Sequence, residues 1–434
     1  MSDYMFMLEN HLSSDQNRVV AAVQEAAGVA NVNVFLAGGA MRDMLGGFQV
    51  RDLDFSVEGN ALKIARAVAD RTRARVVSID ENRRSAELRF PGGVTAQIAL
   101  SRVEKYAKTA AKPQVSPATI QEDLRGRDFS VNAIALSLNR ASRGLLLDPT
   151  NGLADLEHKE LRTLNTYTFY DDPSRLFRLI RFRVRLGFTV EERTRMQYEN
   201  ARAQKLETYI PARTLFEELR HIAHESNPGD VLRALEDERL LATFSTALTG
   251  PKLNLPGFAR LERAFRLVSE GDGIRPERLG PFLYLLTEKL TPKERAALIK
   301  NSDMRKAEVD TWQKLEARSR KLEQALKSVR VRKPSQVYQI LSKAAGDEVV
   351  FLLFHSQNKQ VHERIRNYVQ KYKPTVQEIP EAELLAIAGK PGTPKYVKAK
   401  EALLADRLDR RPRKPLPLPP PAPPVEVGVR TRAR

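Results

Sequence analysis

The alternation of apolar and polar positions changes character along the chain. Between residues 32 and 149, short runs rich in β-branched side chains alternate with helical stretches, which is typical of a mixed α/β domain. The runs predict strands at 32–37, 52–57, 76–79, 85–90, 94–100 and 144–148. Residues 62–72 instead repeat apolar side chains every three to four positions and predict an amphipathic helix. Pro91-Gly92-Gly93 lies between two of the strands and predicts a hairpin turn.

Beyond Asp155 the strand pattern nearly disappears. From Pro173 onward apolar residues recur with a helical period, and prolines separate the segments because a proline cannot continue a helix. The pattern therefore predicts an α+β protein. Its head has a mixed β-sheet and helices, and the rest of the chain is all helical.

The composition limits the kinds of site that the chain can build. Its 434 residues are enough for two or more domains. The absence of cysteine excludes disulfides, thiolate zinc sites and cysteine nucleophiles, and leaves oxygen-ligated metals as the expected cofactor class. The amino terminus lacks a signal-peptide pattern, and the longest strongly apolar run, 349–354, is far below the ~20 residues of a membrane span. We therefore expect a soluble, cytoplasmic protein that does not enter a membrane.

The charge of the chain indicates a polyanionic partner. Lys and Arg number 72 against 54 Asp and Glu, so the formal net charge is +18. For a protein without a membrane anchor, such an excess favours nucleic acid. Residues 410–434 hold eight prolines and seven basic residues against one acidic residue, which predicts a disordered basic tail.

Two short motifs carry the candidate chemistry. Gly38 and Gly39 follow a predicted strand and open a helix, a turn in which the backbone can approach the phosphates of a nucleotide. Asp52 and Asp54 are two apart on the next strand, so their side chains share one face at about 7 Å spacing. Hard carboxylates placed in this way suit Mg²⁺ that also contacts substrate phosphates. The alternative is an exposed Asp-x-Asp at a strand end; the glycines and Arg42 favour the metal.

The two motifs together resemble a family signature. Gly-Gly-x-x-Arg-Asp, eight residues and Asp-x-Asp is similar to the signature of the tRNA nucleotidyltransferases and bacterial poly(A) polymerases, within the DNA polymerase beta superfamily. Further segments with similar motifs follow in the family's order: 125–133, 148–156, 171–182, Arg213 with Glu217, and Pro391-Gly392. The resemblance covers most of residues 30–409. It implies a nucleotidyltransferase catalytic head at 1–155, a helical neck for base recognition at 156–250, a helical body and tail that bind tRNA at 251–409, and a disordered Pro/Arg-rich tail at 410–434.

The resemblance also implies a role for each site residue. Mg²⁺ would be held by the catalytic pair Asp52 and Asp54. The other nine residues would bind the nucleotide. Gly38, Gly39 and Arg42 would hold the triphosphate, and Arg127 and Asp128 would position it. Asp172 and Arg175 would read the base, and Arg178 and Arg181 would neutralise phosphates. A carboxylate offers acceptors and a guanidinium offers donors, so Asp172 and Arg175 could select CTP or ATP without a nucleic-acid template. The alternative for these arginines is a solvated helix face.

Two positions depart from the family pattern. Gln97 stands where the family usually has a third acidic residue, and Gly126 stands where it has the first arginine of a pair. If residues 91–93 close a three-residue hairpin, Phe90 pairs with Val94 and Glu87 lies opposite Gln97, where it could replace the missing carboxylate. The alternative is a surface glutamate.

The sequence thus predicts an enzyme that adds CMP, AMP or both to the 3′ end of tRNA, with CTP and ATP as substrates. An A-adding enzyme, a CC-adding enzyme and a poly(A) polymerase remain open, because their motifs overlap and the specificity loop, placed at 104–117, is not resolved by one sequence. A non-catalytic RNA-binding paralogue is the alternative of another class. His221 and His224 are interpreted as surface residues of the neck. The oligomeric state is not predicted.

Overall fold

A computed structural model describes residues 3–269, 276–377, 381–388 and 393–410. The predicted tail lies outside the described residues, apart from Arg410, and so does Pro391-Gly392. The chain forms two compact units. Unit 1 contains 1–269, 274–320 and 345–355, and unit 2 contains 270–273, 321–344 and 356–434. The domain bounds expected at 155, 250 and 409 remain predictions.

Unit 1 begins with the head, which is built on a seven-stranded sheet in the order β3-β4-β5-β2-β1-β8-β9. The strands of this sheet are β1 Asn33–Ala37, β2 Asp52–Glu58, β3 Arg75–Asp80, β4 Ser85–Arg89, β5 Thr95–Leu100, β8 Ala135–Ser137 and β9 Leu146–Leu147. Strands β2 and β5 pair in parallel and the other pairs are antiparallel, so the predicted mixed sheet is confirmed. Two shorter sheets join β6 Arg102–Lys105 with β7 Gln114–Pro117, and β10 Glu160–Leu161 with β11 Thr189–Val190.

The head helices flank the sheet, with bounds α1 Asp3–His11, α2 Ser14–Val29, α3 Gly39–Leu45, α4 Ala61–Thr72, α5 Ile120–Arg125 and α6 Gly152–His158. Local sequence explains where several begin. Ser13 with Gln16 and Thr119 with Glu122 form capping boxes that satisfy the first backbone N–H groups of α2 and α5. Phe35 and Ala37 of β1 pack against Ile120 and Leu124 of α5 in the core. The helix predicted at 62–72 is confirmed as α4.

The rest of unit 1 is helical except for β10 and β11. Its helices are α7 Thr168–Asp171, α8 Arg175–Leu186, α9 Glu192–Ala203, α10 Ala212–Ala223, α11 Pro228–Asp237, α12 Leu255–Ser269, α13 Leu279–Thr287, α14 Pro292–Asn301, α15 Lys306–Gln313 and α18 Gly346–His355. α16 Leu315–Lys327 spans the boundary between the units. The helices of unit 2 are α17 Pro334–Leu341, α19 Lys359–Asn367, α20 Lys373–Gln377, α21 Glu381–Ala388 and α22 Pro394–Asp409. Among the described helices, none has the length and apolarity that crossing a bilayer requires.

Three details differ from the sequence-based expectations. The predicted strand at 144–148 shrinks to β9, two residues long. The segment 104–117, expected as a loop, contains most of the β6–β7 hairpin. A short parallel pair, β10 with β11, lies in the part expected to be all helical. None of these strands alternates clearly between buried and exposed positions, which is why period-two patterning does not find them.

Candidate active site

A cavity of about 820 Å³ lies within unit 1. This volume is in the range of small-molecule sites. Its lining includes all eleven residues predicted from the sequence: Gly38, Gly39, Arg42, Asp52, Asp54, Arg127, Asp128, Asp172, Arg175, Arg178 and Arg181. The fold therefore brings together motifs that lie more than 140 positions apart in the chain.

The glycine turn connects β1 to α3 and approaches the carboxylates closely. Gly38 has φ +66° and ψ −130°, a conformation that L side chains rarely adopt. A Cβ at Gly38 would lie 2.7 Å from Nη1 of Arg127, and one at Gly39 would lie 3.2 Å from Oδ2 of Asp54. The N–H of Gly39 donates to that Oδ2 at 3.1 Å. Both glycines are thus required by the close packing of this turn against site side chains.

The two carboxylates lie on one face of β2. Leu53 and Phe55 are buried, so the alternate positions of Asp52 and Asp54 face the cavity. Burial and then the negative charge of Asp52 raise the pKa of Asp54 to about 6, against the opposing effect of Arg127. Oγ1 of Thr95 donates to Oδ1 of Asp52. A divalent cation held by Asp52 and Asp54 would offset their mutual repulsion, so the residues fit a hard metal ion.

The metal site that these residues offer has two carboxylates. Within the described part of the chain, no group of three or more His, Cys, Asp or Glu side chains is placed to hold a metal. Gln97 lies beside Asp54 in the parallel register of β2 and β5, and it lines the cavity. A neutral amide therefore occupies the place next to Asp54.

The predicted register of the β4–β5 hairpin is confirmed. The N–H of Phe90 donates to the carbonyl of Val94 at 2.8 Å, and Glu87 is the partner of Gln97. Glu87, however, accepts a hydrogen bond from Oγ of Ser78 at 3.3 Å and is not among the residues that line the cavity. The idea that Glu87 replaces the missing carboxylate is supported by the register alone and remains a hypothesis.

Arg127 and Asp128 also line the cavity. Nη1 of Arg127 donates to the carbonyl of Asn132 at 3.1 Å, and Nη2 to Oδ2 of Asp123 at 3.0 Å. Asp128 is 5% exposed and pairs with Arg178 at 3.0 Å. Burial alone would raise the pKa of Asp128, but Arg178 and Arg175 hold it below its usual range. Asp128 is therefore ionised and fixes Arg178 at the cavity wall.

Arg42 lines the cavity but is 3% exposed. Its Nη1 donates to Oδ1 of Asn132 at 2.7 Å, and its Nε and Nη2 donate to Oδ1 of Asp43 at 2.9 and 2.7 Å. Its guanidinium carbon lies 4.9 Å from the centre of the Phe182 ring. These contacts show that Arg42 ties α3 to its neighbours, while the expected contact with the triphosphate remains a prediction.

The amino-terminal end of α8 presents the predicted base-reading pair. Oδ1 of Asp172 accepts from the N–H and Oγ of Ser174 at 3.1 and 2.6 Å. Arg175 is 8% exposed, and its Nη1 donates to the carbonyl of Thr168 at 3.3 Å. Arg181, one of the predicted phosphate ligands, is 6% exposed and contacts Glu218 and Glu225 at 3.5 and 3.2 Å. Arg181 is thus held by two carboxylates, which a solvated helix face does not explain.

Sequence reasoning missed two further walls of the cavity. One is a cluster around Glu104 of β6, which accepts from Arg83 at 3.0 Å, from Arg102 at 2.7 Å and from the Tyr106 hydroxyl at 2.6 Å. Burial opposes ionisation of Glu104, but the two arginines and Tyr106 lower its pKa to about 2. The only sequence signal for this cluster was the dense alternation of charges at 102–106.

The other wall is the face of α10 that carries Arg213, Thr214, Glu217, Glu218 and His221. The sequence placed Arg213 and Glu217 in a motif similar to that of the family but assigned none of these five residues to the site. These positions recur with the helical period, which could have indicated a shared face. Burial by the cavity walls, followed by the positive charges of Arg181 and Arg178, holds the pKa of His221 well below its usual range. The His221 side chain nevertheless remains accessible from the cavity. His224 is also exposed, as expected, and its Nδ1 lies 2.7 Å from the carbonyl of Arg220.

Comparison with known proteins gives consistent results. Residues 34–162 match the poly A polymerase head domain. The A-adding tRNA nucleotidyltransferase of Halalkalibacterium halodurans is 35% identical over 240 residues, which are 54% of this chain and 56% of that protein. The CC-adding tRNA nucleotidyltransferase of Deinococcus radiodurans is 35% identical over 201 residues, 46% of this chain and 52% of that protein. The chain spans about half the length of these curated relatives.

Structural similarity extends further along the chain. The Thermotoga maritima CCA-adding enzyme complexed with tRNA aligns over 95% of this chain and 96% of its own, with a TM-score of 0.51 and 26% identity. The similarity thus includes the helical part that follows the head.

Proposed function

We propose that this chain, which belongs to the tRNA nucleotidyltransferase and poly(A) polymerase family, is an enzyme. It transfers CMP, AMP or both from CTP or ATP to the 3′ end of tRNA. The observation that carries the proposal is the cavity in which the Asp52–Asp54 pair faces the arginines of α8. A metal-binding carboxylate pair and a cationic helix are what transfer of a nucleotide from a triphosphate requires. CCA-adding enzymes solved with CTP and with ATP have folds similar to this chain, which supports both substrates.

Each wall of the cavity has a role in the proposed mechanism. Asp52 and Asp54 would hold Mg²⁺, which when bound polarises the α-phosphate and eases ionisation of the attacking 3′-hydroxyl. Arg178, fixed by Asp128, faces the cavity with a positive charge for the triphosphate. Arg127 lies beside the glycine turn, where it positions the nucleotide against the carboxylates. The 3′-hydroxyl attacks in line and pyrophosphate leaves.

Asp172 and Arg175 would select the base. Oδ1 of Asp172 is engaged by Ser174, whereas its Oδ2 has no hydrogen-bond partner among the described residues. In Arg175 only Nη1 donates within the described chain. One free acceptor and free donors on neighbouring side chains can pair with the edge of a nucleobase.

The alternatives concern specificity and catalysis. The relatives include an A-adding and a CC-adding enzyme, so this chain could add A only, add CC only, or act as a poly(A) polymerase. A non-catalytic RNA-binding paralogue is the alternative that Gln97 and Gly126 leave open. Both site carboxylates and the base-reading pair lie in one cavity, which favours the enzyme.

The proposal is tested with three tRNA substrates. Purified protein is incubated with tRNA ending before CCA, after C and after CC, each with CTP alone or ATP alone and Mg²⁺. An enzyme that builds the full CCA extends the first two with CTP and the third with ATP; an A-adding enzyme extends only the third, and a CC-adding enzyme only the first two. Repeated addition of AMP would identify a poly(A) polymerase, and no addition to any substrate would contradict the proposed function. Oligomeric state is open, and the cytoplasmic location remains a prediction.

A further inference from the structure

A buried carboxylate outside the predicted motifs connects two walls of the cavity. Glu225 follows the end of α10 and is 3% exposed. Its Oε2 accepts from Nη1 of Arg51 at 3.0 Å, and its Oε1 accepts from Nη1 of Arg181 at 3.2 Å. Nε of Arg185 lies 3.9 Å from Oε2. Three arginines from two different parts of unit 1 therefore meet at one side chain.

The arginines at Glu225 belong to elements that carry site residues. Arg51 immediately precedes the carboxylate Asp52 at the start of β2. Arg51 also donates to Oγ of Ser226 at 2.7 Å and to the carbonyl of His224 at 3.3 Å, so its guanidinium is held at three points beyond α10. Arg181 and Arg185 lie on α8, the helix that starts with Arg175. Glu225 is thus a direct bridge between the strand that holds the carboxylates and the helix proposed to read the base.

The carboxylate of Glu225 offsets the repulsion among the arginines that surround it. Arg185 also donates to Oδ2 of Asp43, whose Oδ1 accepts from Arg42. Burial and the repulsion of Arg42 lower the pKa of Arg185 to about 10, and Glu225 is one of the groups that oppose this effect. Without the charge of Glu225, the arginines would repel one another in a buried setting, and the spacing between β2 and α8 would have to change.

We propose that Glu225 is a positioning residue that sets the placement of the α8 arginines relative to the carboxylates of β2. The proposal rests on the proposed function for its kinetic consequence. Glu225 contacts neither carboxylate of β2, so it would act through Arg51 and Arg181. Glu218 does not provide the same bridge, because among the described residues its ion pair is with Arg181 alone, at 3.5 Å.

The test compares three variants of the full chain. Glu225→Gln keeps the shape and one acceptor but removes the charge, and Glu225→Asp keeps the charge on a shorter side chain. Glu238→Gln is the matched control, because Glu238 accepts from Arg183 on α8 at 3.3 Å and from the Tyr198 hydroxyl at 3.1 Å but is not among the residues that line the cavity. Nucleotide addition to tRNA gives kcat and KM for CTP, ATP and tRNA. Amide hydrogen exchange of the peptides at 46–55 and 175–186 measures how Glu225 couples β2 to α8, and it does not depend on catalytic turnover.

We expect Glu225→Gln to lower kcat by about tenfold to a hundredfold, as misplacement by about 1 Å does, with the KM for tRNA changed by less than about twofold. Glu225→Asp should recover part of kcat, and exchange should rise in both peptides for Glu225→Gln. Glu238→Gln should keep kcat and should not raise exchange at 46–55. A Glu225→Gln enzyme with the kcat of the control, or with exchange raised only at 175–186, would overturn the proposal. If the wild-type chain adds no nucleotide, the proposed function fails while the exchange measurement still decides the bridge.

Discussion

Replacing Gly38 by alanine perturbs the turn between the carboxylates and Arg127. A non-glycine residue in this backbone region costs about 1–3 kcal/mol. The new methyl group would also lie 2.7 Å from Nη1 of Arg127, so the guanidinium would have to retreat by about 0.7 Å to the 3.4 Å of an ordinary contact. Such a move strains the 3.1 Å bond to the carbonyl of Asn132. A displacement approaching 1 Å in a reacting geometry can cost up to about a hundredfold in rate.

We therefore expect Gly38→Ala to lower kcat/KM for nucleotide addition by about tenfold to a hundredfold and to lower the melting temperature by several degrees. Gly250→Ala is the matched control. Gly250 also has a positive φ, +51°, but a Cβ there would meet nothing within 4 Å, and Gly250 is not among the cavity-lining residues. It should lose stability, by about 1–2 kcal/mol, and keep its activity.

The assay is single-nucleotide addition under saturating Mg²⁺, with melting followed by calorimetry on the same samples. Equal activity of Gly38→Ala and Gly250→Ala would refute the reasoning, because it would show that the close approach of the turn to Arg127 has no catalytic consequence. Loss of activity in both variants, in proportion to loss of folded protein, would likewise contradict a local effect.

Three further predictions concern the carboxylates and the two departures from the family pattern. Asp54→Asn should stabilise the folded protein in the presence of EDTA. Folding raises the pKa of Asp54 from 3.8 to about 6, so ionisation of this side chain lowers the stability of the folded protein by up to about 3 kcal/mol. The gain in melting temperature should be full above pH 6 and vanish below about pH 4; a gain that persists at pH 4 would contradict the proposed cause. Gln97→Glu places a third carboxylate beside Asp54 and should tighten Mn²⁺ binding, measured by electron paramagnetic resonance, at least about tenfold; unchanged affinity would show that position 97 does not face the ion. Gly126→Arg should fold normally, since φ is −87° and a Cβ would lie 3.5 Å from the carbonyl oxygen of Asp123. Its KM for the nucleotide should fall. An unchanged KM would indicate that glycine at position 126 does not weaken nucleotide binding.

Local sequence predicted the parts of the site that local physics determines. The paired glycines are needed where backbone approaches side chain closely, and the spacing of Asp52 and Asp54 follows from the alternation of a strand. The hairpin register that pairs Glu87 with Gln97 follows from the length of the turn. The strand alternation and the hairpin register depend on residues within about ten positions of one another, whereas the close approaches at Gly38 and Gly39 involve Arg127 and Asp54, 89 and 15 positions away.

The parts that were missed depend on tertiary pairing. Arg51 and Glu225 are 174 positions apart, and neither lies in a periodic pattern that would mark it as buried. The buried contact of Arg42 with Asn132, 90 positions away, was not predicted either, while the expected contact of Arg42 with the triphosphate stays a prediction. The β6–β7 hairpin escapes prediction because both strands are only four residues long and neither has a buried face.

The proposed catalytic role of the β2 carboxylates is tested most directly by Asp52→Ala. Asp52 is exposed on the strand and its loss leaves no cavity in the core, so the variant should fold. Incorporation of labelled CMP and AMP into tRNA should fall to the level of a reaction without enzyme, while the dissociation constant for tRNA changes by no more than a few fold. Nucleotide addition by Asp52→Ala at the wild-type rate would contradict a catalytic role for this carboxylate pair.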